Sequence, residues 1–293
     1  MSSLVQLAVH TFDISVPYSS VQDFKNHFFG VIRGSLDQGA QIVLLPEYAA
    51  YAASKIKDFK SRDALAKMIW TEVFPEVMNL SKTYDALIYA GTAPNIHRDS
   101  GKFRNRAILA AGGKSIESHK RCLNPWETDF EPGNQIALFE WKTLKCASVI
   151  SFDIEFPEVA TELKRYSPHL LLVPSSATDH LDLERIHRCA SARAVELGAL
   201  VAVSALTGTD ENNPLVAENI GRCAVYFPAQ EAFFKNAGTG TIGTMSSITD
   251  GVKTGIFTHG DHVLRYTIDA DQMIKVKRMD SETKPFLRTL SSY

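Results

Sequence analysis

Three chemically reactive side chains stand at the ends of apolar segments that are far apart in the chain. Glu47 follows the run IVLLP, Lys120 closes the segment SIESHK, and Ser151 follows the run CASVI. A nucleophile, a carboxylate that takes its proton and an ammonium group that stabilises an oxyanion would together suit hydrolysis of an amide or a nitrile. Taken singly, each residue has a plainer interpretation: an exposed loop glutamate, a solvated lysine and a serine that caps a helix.

The pattern along the chain predicts an α/β sandwich that would bring these side chains together. Short apolar runs alternate with longer helical patterns. Strand ends in such a fold gather on one side, where ligand clefts form. The predicted strands are Leu4–Thr11, Gln41–Pro46, Ala86–Thr92, Arg106–Ala111, a short strand ending at Lys120, Ala137–Trp141, Cys146–Ile150, Leu170–Pro174, Leu200–Ala205 and Arg222–Phe227, with two or three more after residue 240. The predicted helices are Ser19–Gln38, Lys60–Lys82 with an interruption near Pro75, Phe156–Arg165 and Asp182–Leu197.

The bulk properties of the chain are those of a soluble globular protein. Of its 293 residues, 45% are hydrophobic and 22% are charged. No apolar run approaches the ~20 residues of a membrane helix. The formal net charge of −2 gives no reason to expect nucleic acid or an anionic membrane as a partner. The four cysteines form no CxxC pair, and the N-terminus lacks a signal-peptide pattern. We therefore expect one domain over residues 1–293 and a cytoplasmic location.

The three segments resemble the signatures of the nitrilase superfamily, the carbon–nitrogen hydrolases. The tripeptide LPE, which ends at Glu47, is similar to the motif of the family's catalytic glutamate. Lys120 lies ahead of Pro132-Gly133, as the family's catalytic lysine lies ahead of a Pro-Gly pair. The segment SFDIEFPE, which begins at Ser151, resembles the family pattern CyDxxFPE. The likeness continues through YAGTAP, FRNRAIL and RCASARAVE, and it covers roughly residues 4–235 in the family's order.

The resemblance implies both an architecture and a reaction. The architecture is a four-layer αββα sandwich that forms a homodimer or a larger homo-oligomer, with the polar tail after about residue 270 as a candidate contact segment. Glu47 would act as the base, and Glu127 would orient the site. Lys120 and the backbone N–H of Phe152 would hold the oxyanion. The implied reaction is hydrolysis of a non-peptide C–N bond in a small amide, an N-carbamoyl compound or a nitrile, with no cofactor and no metal.

Six residues are predicted to bind substrate. The resemblance implies the four aromatic ones, and the other two, Thr178 and Asp179, could place polar groups at the pocket mouth. Those with aromatic side chains have an alternative interpretation as plain packing. Arg185 and Arg188 follow the group in sequence, and an arginine at the pocket mouth would hint at a carboxylate-bearing substrate, such as an ω-amide or an N-carbamoyl amino acid. The predicted substrate-binding residues are Phe152, Tyr48, Tyr51, Trp126, Thr178 and Asp179.

The chain departs from the family pattern at the nucleophile itself. Counted back from Phe156-Pro157-Glu158, the position of the family's cysteine falls on Ser151, and Cys146 lies five residues earlier within a predicted strand. A free thiol has a pKa of ~8.5, whereas an alcohol is far less acidic and a carboxylate is a poor base for it. Two interpretations stay open: an engineered inactive variant or a natural pseudoenzyme that binds a metabolite. The otherwise complete site favours the first, and acyl transfer is a further alternative.

Two other motifs have weaker claims to a function. The segment NAGTGTIG has the GxGxxG spacing of dinucleotide-binding loops, but the residues after it lack the pattern of the required helix. His259 and His262 in THGDH could share a metal ion, but Gly260-Asp261 between them favours a turn.

Overall fold

The computed structural model describes residues 4–279 except for residues 58, 60, 212, 214, 229, 231–232 and 234–250. Its strands are β1 (Leu4–Asp13), β2 (Ile42–Leu45), β3 (Leu87–Ile96), β4 (Phe103–Ala111), β5 (Lys114–Ser115), β6 (Ala137–Trp141), β7 (Leu144–Ser148), β8 (Leu170–Ser175), β9 (Leu200–Thr209), β10 (Glu218–Asn219), β11 (Ala224–Tyr226), β12 (Val252–Lys253) and β13 (Val263–Asp269). Its α-helices are α1 (Val21–Asp37), α2 (Arg62–Met68), α3 (Phe74–Thr83), α4 (Pro157–Tyr166), α5 (His180–Leu197) and α6 (Ala270–Met279). Short 3₁₀ helices span Ala49–Lys55 and Ser151–Glu155.

The long strand β1 connects two halves of the sheet. Its first part pairs in parallel with β2 and antiparallel with β13, and its last three residues pair in parallel with β9. The strand order is β5-β4-β3-β2-β1-β9-β8-β7-β6. Strands β2, β1, β9, β8 and β7 are mutually parallel. Their carboxyl ends therefore lie at one edge of the fold, which is where binding sites of parallel sheets form.

Three separate hydrophobic clusters define the layers of the molecule. Along β2, Ile42 and Leu44 enter a cluster that lies between the two halves of the sheet, whereas Val43 and Leu45 enter a cluster shared with α1, α2 and α3. This division follows from the two-residue period of a strand. Residues of β8 divide in the same way between the inner cluster and a third cluster shared with α4 and α5. Three clusters between four layers confirm the predicted αββα sandwich.

The structure corrects two local predictions and shows how the polar segment after residue 270 begins. The interruption predicted near Pro75 is a π-helical segment, Ile69–Val73, and Pro75 lies in the first turn of α3, where it needs no hydrogen-bond donor. No strand ends at Lys120: β5 ends at Ser115, and only His119 forms an isolated bridge, with Arg106. The polar segment after residue 270 begins as helix α6, which buries Met273 and Val276.

The remaining motifs fall partly outside the described residues. The GxGxxG segment of residues 236–243 and the tail beyond residue 279 lie outside them. The turn predicted in THGDH is confirmed, because residues 258–260 bend and Gly260 has a φ of 90°. Within the described ranges, no group of three or more His, Cys, Asp or Glu side chains could hold a metal ion. No helix in the described part of the chain is both long and apolar enough to cross a bilayer.

Candidate active site

Glu47 lies two residues beyond the carboxyl end of β2 and is completely buried. Its Oε1 atom accepts a hydrogen bond from Asn105 Nδ2 at 2.8 Å and lies 3.0 Å from Lys120 Nζ. Its Oε2 atom accepts a hydrogen bond from the Ser176 hydroxyl at 2.6 Å. A buried carboxylate with three polar partners is held in a fixed orientation, as a general base must be.

Lys120 is also completely buried and lies between two carboxylates. Its Nζ atom is 3.0 Å from Glu47 Oε1 and 3.0 Å from Glu127 Oε2. Burial by itself would lower the pKa of the ammonium, but the attraction of Glu47 and Glu127 outweighs it and holds the pKa above its ordinary value. The lysine is therefore a fixed positive charge, suited to stabilising an oxyanion.

Glu127 is held in place by two donors besides the lysine. The Tyr48 hydroxyl donates to its Oε1 atom at 2.5 Å, and the backbone N–H of Asn124 donates to its Oε2 atom at 2.7 Å. Burial, followed by the charges of Glu127 and Glu47, holds the pKa of Tyr48 well above its ordinary value. Tyr48 is therefore a neutral donor that orients Glu127, which in turn orients Lys120.

Ser151 begins a 3₁₀ helix just after β7 and has a φ of 46°. Positive φ is uncommon for a residue with a Cβ atom, and such conformations cluster at functional sites, as in the strand-to-helix turns that present nucleophiles. Its Oγ atom lies 3.4 Å from both the backbone N and O atoms of Ser176. Ser176 follows β8 directly and also donates to Glu47, so the nucleophile position and the base contact the same residue.

Gly91 allows the segment that carries Glu47 to pack against β3. It has a φ of 78°, and a Cβ atom at this position would lie 2.2 Å from the carbonyl oxygen of Pro46. We predict that Gly91→Ala destabilises the protein by about 2–4 kcal/mol, because it combines backbone strain with a clash against main-chain atoms. The measurement is urea unfolding at pH 7. Gly101→Ala is the matched control, since Gly101 has a φ of 71° but no neighbour within 4 Å. Equal losses in the two variants would contradict the predicted clash.

Asp153 joins the lysine loop to the nucleophile turn. Its Oδ1 atom accepts the backbone N–H groups of Arg121 at 3.1 Å and Cys122 at 2.6 Å. These residues follow Lys120 directly, and Asp153 lies two residues after Ser151. Burial raises the pKa of the Asp153 carboxyl to about 6, although the two backbone donors oppose the shift. The contact therefore joins the backbone that follows Lys120 to the turn that carries Ser151.

The raised pKa of Asp153 predicts a pH dependence of stability. Between pH 4 and pH 6 the carboxyl is still protonated in the folded state but ionised in the unfolded chain, so its contribution to stability falls as the pH rises, by ~1–3 kcal/mol. Asp153→Asn keeps an oxygen acceptor but does not titrate. We therefore expect the stability of the native chain relative to this variant to fall between pH 4 and pH 6, measured by urea unfolding. A constant or rising difference would contradict this assignment.

A cavity of about 210 Å³ opens onto Ser151. This is small beside the ~300–1,000 Å³ of sites for drug-sized ligands, so it suits a small substrate. Trp126 and Phe152, both predicted to bind substrate, line it, and the Trp126 side chain is 45% exposed. The lining residues are Asn124, Pro125, Trp126, Ser151, Phe152, Glu155, Ser176, Asp182, Arg185 and Ile186.

The other four predicted binding residues have partners within the protein and are not among those lining residues. Tyr48 contacts Glu127, and Tyr51 packs against Tyr48 with the ring centroids 6.1 Å apart. The Thr178 hydroxyl donates to the Asp182 carboxylate, and Asp179 caps α5 by accepting the N–H groups of residues 181 and 182. Their contact with substrate stays a prediction that rests on the family resemblance.

Sequence reasoning missed Asn105, Ser176 and Asp153, which hold the site together. Asn105 lies in FRNRAIL and Ser176 in LLLVPSSATD, two segments that resemble the family. Asp153 lies in the nucleophile motif itself. A polar residue inside or directly after an apolar strand was the available signal, since a buried polar group needs a partner. Together these residues connect the Ser151 hydroxyl, the Glu47 carboxylate and the Lys120 ammonium at one edge of the sandwich.

Comparisons with known proteins agree with this class of site. A model of the carbon–nitrogen hydrolase family matches residues 5–247. The chain is 23% identical over 239 residues to probable hydrolase YhcX of Bacillus subtilis, in a match that covers 79% of the chain and 46% of that protein. It is 27% identical over 190 residues to a deaminated glutathione amidase of Synechocystis, covering 58% of the chain and 67% of that protein.

A solved structure supports the fold independently. Nit3 of Saccharomyces cerevisiae, described as a member of branch 10 of the nitrilase superfamily, superposes with a TM-score of 0.69 at 18% identity and covers 96% of each chain. The chain spans less than half the length of YhcX, so the activity of that whole protein is not transferred to it. Because the family model spans most of the sequence, the chain belongs to the carbon–nitrogen hydrolase family.

Proposed function

We propose that this site hydrolyses the C–N bond of a small amide or N-carbamoyl compound when its nucleophile is a thiol. The observation that carries the proposal is the buried group of Glu47, Lys120 and Glu127, which Ser176 connects to Ser151 on the wall of a cavity. Isolated buried charges are too costly to keep without a role or a partner. Here the charges are paired with each other, and Ser151 and Ser176, which contact each other, line the cavity.

The proposed reaction has two half-reactions, and the same groups act in both. The base, Glu47, takes the proton of the nucleophile as that atom attacks the carbonyl carbon, and Lys120 with the backbone N–H of Phe152 stabilises the oxyanion. Glu47 then gives the proton to the leaving nitrogen, and ammonia or an amine departs from the acyl-enzyme. Water attacks the acyl group with Glu47 again as the base, which releases the acid and restores the nucleophile.

We propose that the Ser151 form is strongly impaired in this reaction. A serine hydroxyl retains its proton far more tightly than a thiol, and the site offers a carboxylate rather than a histidine as the base. The complete set of contacts around Glu47 and Lys120 favours a replacement of cysteine by serine made to trap substrate over the loss of an abandoned site. A natural pseudoenzyme that binds a small metabolite is the rival, and Ser151 itself is the observation in its favour.

The proposal is tested by ammonia release from small amides, carbamoyl compounds and nitriles, with this chain and Ser151→Cys side by side. Turnover of amides or carbamoyl compounds by the variant alone supports the hydrolase. Turnover of nitriles alone, or transfer of the acyl group to an added amine instead of water, would replace it with one of the related activities. Binding of these compounds without turnover by either form would favour the pseudoenzyme.

A further inference from the structure

The outer wall of the cavity carries three charged side chains. Glu155, Asp182 and Arg185 all line it, and their side chains are 15%, 19% and 53% exposed, whereas Ser151 at the inner end is nearly buried. With two carboxylates and one guanidinium, this outer wall has a formal charge of −1. The far end of a bound substrate, which points away from Ser151, would lie against these groups.

The guanidinium of Arg185 is already committed to the two carboxylates. Its Nε atom lies 3.3 Å from Glu155 Oε2, and its Nη2 atom is hydrogen-bonded to Asp182 Oδ1. A substrate carboxylate would have to compete with both pairs and would also face the repulsion of both acids. With its charge shared between two acids, Arg185 attracts a substrate carboxylate less strongly than an unpaired arginine near the pocket mouth would.

Glu155 is the acid best placed to receive a substrate group. Asp182 accepts hydrogen bonds from Thr178 as well as from Arg185, so both of its oxygens are occupied. Within the described residues, Arg185 is the side chain that pairs with Glu155, through Oε2. Trp126, exposed on the same cavity, offers an aromatic face, which attracts cations as well as alkyl groups.

We propose that this cavity selects amides whose far end is cationic or neutral and disfavours amides that carry a far carboxylate, with Glu155 as the residue that sets the preference. The inference rests on the proposed function, since it takes the amide end of the ligand to lie at Ser151. It extends that function by assigning a charge class to the substrate.

The test is direct binding to the Ser151 chain of three amides that share a (CH₂)₃ spacer. These are 4-aminobutanamide, pentanamide and 4-carbamoylbutanoate, which end in an ammonium, a methyl and a carboxylate group. Dissociation constants are measured by calorimetry or ligand-observed NMR at low salt. We expect the cation to bind about tenfold more tightly than the anion, with pentanamide between them, as a charge interaction of about 1.4 kcal/mol would give.

Two variants test whether Glu155 causes the preference for a cationic amide. Glu155→Gln is expected to bring the cation-to-anion ratio close to unity. Glu184→Gln removes the same charge from helix α5, but Glu184 pairs with Arg188 and is not among the residues that line the cavity, so this variant should keep the ratio. An equal change in both variants would overturn the role of Glu155.

Binding of the three amides to the Ser151 chain tests the preferred charge of the substrate even if a variant fails to fold. Equal or tighter binding of the carboxylate, or no binding of any of the three, would overturn the inference. A different result would contradict the proposed function alone: Ser151→Cys binds the amides in the expected order but releases no ammonia from them.

Discussion

Ser151→Cys is expected to raise the rate of ammonia release from a small amide by at least about 10³-fold, since loss of an activated nucleophile costs ~10⁴–10⁶-fold in other hydrolases. The substitution exchanges one atom and leaves the contacts of Glu47, Lys120 and Glu127 as they are. The thiol gives up its proton to a carboxylate far more readily than the hydroxyl does, so the base that is already present becomes sufficient. The measurement is kcat/KM for ammonia release by both forms at pH 7.

Two controls test whether the increase in the rate of ammonia release depends on position 151. Ser151→Ala should release no more ammonia than the Ser151 chain. Cys122 is the thiol of the loop that follows Lys120, and burial, with the neighbouring Asp153 carboxylate, raises its pKa to about 12, so it is a poor nucleophile at pH 7. Cys122→Ser should therefore leave the activity of Ser151→Cys unchanged. Equal rates for the serine and cysteine forms would contradict the assigned role of residue 151.

Lys120→Met is expected to abolish the activity of Ser151→Cys and to cost about 3–5 kcal/mol of stability at pH 7. Removal of the ammonium leaves the buried carboxylates of Glu47 and Glu127 without their shared positive charge. Two uncompensated acids in one site favour the uptake of a proton. The cost should therefore be smaller at pH 5 than at pH 7, because protonation relieves the repulsion. Urea unfolding at the two pH values measures both the loss and its pH dependence.

The control for this variant is a lysine on the surface. Lys142 pairs with the exposed Asp85 carboxylate at 3.5 Å, so Lys142→Met should change stability by less than about 0.5 kcal/mol. A similar small effect of Lys120→Met, or a loss that is larger at pH 5 than at pH 7, would contradict the assignment of Lys120 as the charge that holds the two acids together.

The convergence of Glu47 and Ser151 could be predicted from sequence for a physical reason, whereas Lys120 lies in a loop and not at the end of a strand. Glu47 and Ser151 each follow a short apolar run, and runs of that kind become parallel strands whose carboxyl ends share an edge. Ser176, after β8, lies at the same edge. The four-layer architecture was an implication of the family resemblance. The structure supplies its physical basis, because successive side chains of residues 42–45 enter two different hydrophobic clusters.

The partnerships within the site could not be predicted in the same way. Nothing in the order of residues shows that Tyr48 donates to Glu127 or that Asp153 binds the backbone after Lys120, because these contacts join segments about 30 to 80 residues apart. The pairing of the charges on the cavity wall was hidden for a related reason. Arg185 is one of several arginines on a helix, and only the structure shows that it forms an ion pair with Glu155.

The central claim is that position 151 carries the acyl group while Glu47 and Lys120 act on it. The most direct test is peptide mapping by mass spectrometry of Ser151→Cys, quenched with acid during turnover of a small amide. We predict an acyl adduct on the peptide that contains residue 151, formed as the first equivalent of ammonia is released and absent from the Ser151→Ala control. Ammonia release with the adduct on another peptide, or with the same adduct pattern in the alanine control, would contradict the claim.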